Sequence, residues 1–95
     1  MRISKAQIEN LKNSILSIQP DSKVFLFGSR IDDNNKGGDI DILILGKRKL
    51  NLLEKWEIKK TFVEKFGEQK LDLISFDINT KNTFKKVALM EAIEL

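Results

Sequence analysis

The sequence predicts a small α/β (α+β) domain, with a mixed sheet of three or four strands and flanking helices. Two observations carry this expectation. Some stretches place apolar residues at helical steps of three and four, others crowd them into short runs, and the two kinds alternate along the chain. The chain has 95 residues, 41% hydrophobic and 33% charged, which suits one modest core. Residues 1–95 are therefore expected to form a single domain, in the order αβ(α)βαβα.

Ser4-Lys5-Ala6-Gln7 reads as a capping box at the start of a helix. Ile8, Leu11, Ile15 and Ile18 form its apolar stripe, and Pro20-Asp21 ends it. Val24 to Phe27 is wholly apolar and suits a buried strand that closes at Gly28-Ser29. Residues 30–38 are polar, with Asn34-Asn35 and Gly37-Gly38, and predict a loop or a short helix followed by a loop. Asp39 to Leu45 is the second strand, and Gly46-Lys47-Arg48-Lys49 breaks it. Asn51 and Glu54 form a second cap signature. The helix behind them is expected to turn Leu52, Leu53, Trp56, Val63 and Phe66 to the core, with Gly67 at its end. Lys70 to Phe76 is the third strand. Thr80 or Thr83 caps a last helix, with Phe84, Val87, Ala88 and Glu91 along one side.

Composition removes several chemistries. There is no Cys, hence no disulfide, no thiolate zinc site and no cysteine nucleophile. There is no His, which removes histidine general bases and histidine-ligated zinc. With no Tyr, the chain cannot itself accept a group on a tyrosine. The formal net charge of +3 permits an anionic partner without demanding one. Met1-Arg2-Ile3-Ser4-Lys5 opens no signal-peptide pattern, and no apolar run reaches the ~18 residues of a membrane span, so the expected address is the cytoplasm.

Three features carry chemistry. Asp39 and Asp41 are two apart on a strand, so they share a face at roughly 7 Å between Cα atoms, while Ile40, Ile42 and Ile44 take the other face. Asp72 interrupts an otherwise apolar strand, a costly place for a carboxylate unless it is paired or bound to metal. Carboxylates about 4 Å apart repel by about 4 kcal/mol at an effective dielectric of about 20, and a divalent cation would offset this. An all-oxygen set favours Mg²⁺ or Mn²⁺. Gly28 lets a phosphate approach the backbone, and the Ser29 hydroxyl with neighbouring N–H groups would hold its oxygens. Arg30 either adds a charge-assisted contact or is a surface residue. The sum is a metal-dependent phosphoryl or nucleotidyl transfer site.

Phe27-Gly28-Ser29-Arg30, nine residues from Arg30 to Gly38, then Asp39-Ile40-Asp41-Ile42 and Leu71-Asp72-Leu73-Ile74, together resemble the signature of the DNA polymerase beta-type nucleotidyltransferase superfamily. The resemblance is nearest to its minimal, MNT-type branch. It implies the nucleotidyltransferase fold and transfer of a nucleoside monophosphate from an NTP, by preference AMP from ATP, to a hydroxyl with release of pyrophosphate. It implies that Asp39 and Asp41 bridge two Mg²⁺ ions, with Mn²⁺ a substitute. Asp72 would bind the catalytic ion and favour deprotonation of the acceptor. Gly28 and Ser29 would hold the leaving pyrophosphate, with Arg30 beside them. Larger members carry an acceptor-binding domain, and this chain stops at Leu95. The resemblance therefore implies a partner: a helical HEPN-type protein, modified on a tyrosine, with the present chain as antitoxin. A non-catalytic module that neutralises a partner by contact, and a small-molecule transferase of the aminoglycoside-modifying kind, are the alternatives.

Other features are weaker. The stretch from Asp33 to Gly38 echoes a calcium loop but has Gly37 and Ile44 where ligands are required. Neither a dinucleotide fingerprint nor a P-loop occurs. Lys47-Arg48-Lys49, Lys59-Lys60 and Lys85-Lys86 read as solvated faces more readily than as a nucleic-acid surface, and Trp56 as core more readily than as a base platform. The apolar stripe of the last helix suits either core or a partner surface.

Overall fold

The computed structural model describes residues 3–28 and 39–95, apart from the side chain of Phe84. Its elements are α1 (Lys5–Ile18), β1 (Lys23–Phe27), β2 (Ile40–Gly46), α2 (Leu52–Phe66), β3 (Leu71–Asp77), α3 (Thr83–Glu91) and β4 (Ile93–Glu94). The expected short helix between the first two strands lies outside the described residues. Among the described residues no helix is long and apolar enough to cross a membrane.

The sheet is mixed and four-stranded, in the order β3-β2-β1-β4. β1 runs antiparallel to β2 and to β4, while β2 and β3 are parallel. A parallel pair needs a crossover, and α2 supplies it. Alternation then sorts the side chains. Val24, Leu26, Ile40, Ile42, Ile44, Leu71 and Leu73 pack on one face with Leu11 and Ile15 of α1 and Ile58 and Phe62 of α2. Leu43, Leu45 and Phe76 form a smaller cluster on the other face with Ala88 of α3, flanked by Phe25, Phe27, Ile74 and Leu89.

Both capping boxes form as expected. Ser4 N–H donates to the Gln7 Oε1 at 2.9 Å and Gln7 N–H to the Ser4 hydroxyl at 3.1 Å. Asn51 and Glu54 repeat this at 2.9 and 2.8 Å. Arg48 grips Glu54 with both terminal guanidinium nitrogens, at 2.8 and 2.7 Å. Those bonds, with help from the Asn51 N–H, lower the Glu54 carboxyl to about 2. A carboxylate depressed on folding stabilises the fold fully above its unfolded value near 4.5 and loses that contribution as pH falls toward about 2. Glu54→Gln is therefore expected to flatten the loss of melting temperature between about pH 5 and pH 2, read by circular dichroism.

The face of α2 differs from expectation. Its buried residues are Ile58 and Phe62, with the Phe66 ring tilted by 45° against that of Phe62 at 4.9 Å between centroids. Leu52, Leu53 and Trp56 are 84%, 68% and 52% exposed. At about 100° per residue, Trp56 lies about 120° around the helix from Phe62, so both cannot face the sheet. Trp56 is neither core nor enclosed; the Lys60 ammonium sits 5.2 Å from its ring centre.

α3 brings further corrections. Its cap is Asn82, whose Oδ1 accepts from the Lys85 N–H at 3.2 Å, and neither Thr80 nor Thr83 takes that place. Ala88 is buried but Val87 is exposed. β4 is an additional strand, held as Leu95 N–H donates to the Val24 carbonyl at 2.8 Å. Lys85 is buried rather than solvated. Its ammonium donates to the carbonyls of Asp77, Ile78 and Thr80 at 3.0, 2.9 and 2.9 Å, which ties the β3–α3 turn to the helix. Lys85→Met leaves those carbonyls without this donor, and a loss of about 1–3 kcal/mol is expected in chemical denaturation.

Candidate functional site

The parallel register places Asp41 directly opposite Asp72, and the antiparallel register places Phe27 opposite Asp41. Neighbouring strands lie about 4.8 Å apart, so both carboxylates stand side by side on the α3 face, beyond the part of the sheet that Ala88 covers. Their environment raises the Asp41 carboxyl. Partial burial contributes most, followed by the charge of Asp72, a hydrogen bond between the two side chains and the charge of Asp39; Lys70 opposes the shift.

Asp39 directly precedes β2 and is half-buried. The Lys70 ammonium reaches its Oδ2 at 3.5 Å. Lys70 thus borders the candidate site, a place that the sequence alone did not single out. The signal was present: it lies two positions before Asp72, on the same side of an extended chain.

Gly28 closes β1 with φ of +84°, a left-handed conformation that favours glycine. A Cβ there would collide with Oδ2 of Asp41 and approach its Cγ at 3.2 Å. The bare backbone of Gly28 thus lies against the Asp41 carboxylate, so the glycine expected to admit a phosphate adjoins an expected metal ligand. Ser29 and Arg30 lie outside the described residues.

The donor set suits a hard divalent cation. The register sets the Asp41 and Asp72 carboxylates side by side, at a place where a divalent cation would neutralise both. Among the described residues no three acidic side chains converge into a ready-made metal cage. Asp39 meets Lys70 instead.

The profile described as "Polymerase beta, Nucleotidyltransferase" matches residues 9–95. The chain belongs to this nucleotidyltransferase family. Its match spans every element from the middle of α1 to β4, and includes Gly28, Asp39, Asp41 and Asp72. Solved structures share the nucleotidyltransferase fold at low identity. A toxin–antitoxin structure with AMP-PNP superposes with a TM-score of 0.69 at 19% identity, covering 97% of this chain and 71% of that one. The MntA–HepT toxin–antitoxin gives 0.65 at 16% identity, covering 96% and 70%. A complex of tri-AMPylated Shewanella oneidensis HEPN toxin with MNT antitoxin gives 0.56 at 19% identity, covering 93% and 70%. A comparison with curated proteins found no significant match.

Proposed function

We propose that this nucleotidyltransferase is an MNT-type enzyme. It moves AMP from ATP to a hydroxyl, a tyrosine of a HEPN-type helical partner, and acts as that partner's antitoxin in the cytoplasm. The observation that carries the catalytic reading is the register pairing of Asp41 with Asp72 beside the bare backbone of Gly28. The partner reading is supported by fold neighbours in toxin–antitoxin structures, one of a tri-AMPylated HEPN toxin with MNT antitoxin and one with AMP-PNP.

In this reading Asp41 and Asp72 hold Mg²⁺, Mn²⁺ being able to substitute, and Asp39 joins them to complete a two-ion site. When bound, the metal would stabilise charge on the phosphoryl oxygens and make the acceptor hydroxyl more acidic. The residues of the chain do the rest. Gly28 admits the polyphosphate close to the main chain, and Ser29 and Arg30 add donors to it. Asp72 favours loss of the acceptor proton. The acceptor oxygen then bonds to the α-phosphorus as the bond to pyrophosphate breaks.

The test uses α-labelled ATP, Mg²⁺ and the product of the neighbouring gene. Label is expected on the partner with wild type and not with Asp41→Asn. A tight complex without label from either version would leave a contact antitoxin as the function and overturn the catalytic reading.

A further inference from the structure

We propose that Lys70 is a positioning residue that holds the Asp39 carboxylate and competes for it with a divalent cation. The inference rests on the reading that Asp39, Asp41 and Asp72 hold such a cation. It deepens that reading by naming what governs the site before it is loaded.

The placement is specific. Main-chain pairing carries Lys70 to the end of β2, where Ile40 N–H donates to its carbonyl at 3.0 Å. Alternation then puts its side chain on the side of Asp72, two residues on, and toward Asp39, two residues before Asp41. The ammonium rests 3.5 Å from Asp39 Oδ2, and the two side chains are 68% and 44% exposed. A pair so exposed is weak and opens readily. Lysine, with a point charge on a flexible stem, can let go without disturbing the strand.

An ammonium and a divalent cation on the same carboxylate repel one another. Binding of the cation to Asp39 therefore works against the Lys70 contact, and the fraction of molecules in which Lys70 holds Asp39 lowers the apparent metal affinity. Metal carried in with a polyphosphate avoids this conflict, because the phosphates offer the released ammonium another anion. Lys70 thus favours loading by the metal–nucleotide complex over loading by metal alone.

The experiment is a Mn²⁺ titration without nucleotide, followed by electron paramagnetic resonance of free Mn²⁺. It compares wild type, Lys70→Gln, Lys70→Arg, Asp41→Asn and Lys81→Gln. Lys81 is exposed and lies beyond the opposite end of β3. Lys70→Gln is expected to bind Mn²⁺ about three- to tenfold more tightly than wild type. Lys70→Arg should bind Mn²⁺ no more tightly than wild type, Lys81→Gln should match wild type, and circular dichroism should show Lys70→Gln folded. Unchanged or weaker binding by Lys70→Gln overturns the proposal while leaving the metal site standing. Equal tightening by Lys81→Gln overturns it too, because net charge alone would then be responsible. Wild type indistinguishable from Asp41→Asn would remove the metal site itself, and the proposal with it.

Discussion

Asp41→Asn is expected to abolish nucleotidyl transfer without lowering the melting temperature of the metal-free protein. The two outcomes have one cause. Asp41 is half-buried beside Asp72 and close enough to Asp39 to feel its charge, so its ionised form is disfavoured in the folded chain. A neutral amide of the same shape removes the repulsion and keeps a hydrogen-bonding group against Asp72. It also removes an anionic metal ligand from the centre of the site. Metal stabilisation of transferring phosphoryl oxygens is worth several kcal/mol, so a loss of at least about a hundredfold in rate is expected. Label transfer measures the rate and calorimetry the stability. Millimolar Mg²⁺ should raise the melting temperature of wild type and leave that of the variant unmoved, since only a ligand that binds the folded state stabilises it. A variant that melts well below wild type would mean that Asp41 is a structural residue.

Gly28→Ala should harm both stability and chemistry. The left-handed φ of +84° costs a residue with a Cβ about 1–2 kcal/mol. The added methyl also enters the space of the Asp41 carboxylate, so one of the two must move. Displacement of a reacting or ligating group by about 1 Å can cost about a hundredfold in rate. A fall of several degrees in melting temperature and a large loss of transfer are expected together. The double variant with Asp41→Ala should recover the steric part of the stability loss and retain the backbone part, which a double-mutant cycle separates.

The parts of the molecule legible in the sequence were the local ones. Both capping boxes are four-residue patterns whose hydrogen bonds close within one turn. The shared face of Asp39 and Asp41, and the burial of Ile40, Ile42 and Ile44 behind them, follow from the two-residue period of a strand. What escaped depends on partners distant in sequence. α2 offers two apolar stripes, and only its packing on α1 and the sheet selects Ile58 and Phe62 over Leu53 and Trp56. β4 is two residues long, too short for any periodic signal, and exists through its pairing with β1. Lys85 is buried because three carbonyls of a turn converge on it, a geometry no residue pattern announces. Lys70 meets Asp39 only because β2 and β3 pair in one register. A slip by one residue would have sent Lys70 and Asp72 to the opposite face.

The pairing of Asp41 with Asp72 has a kinetic side. The two residues stand on parallel neighbours joined through the whole of α2, so nothing local can bring them together. Contacts between residues far apart in sequence form late, because the entropy of closing the intervening loop is lost before they return any stabilisation. A nascent or partly unravelled chain therefore carries Asp39 and Asp41 on one segment and Asp72 on another, with no assembled acidic centre. Competence at this site is a report on completed tertiary structure, and a chain caught before the crossover docks is silent rather than misdirected.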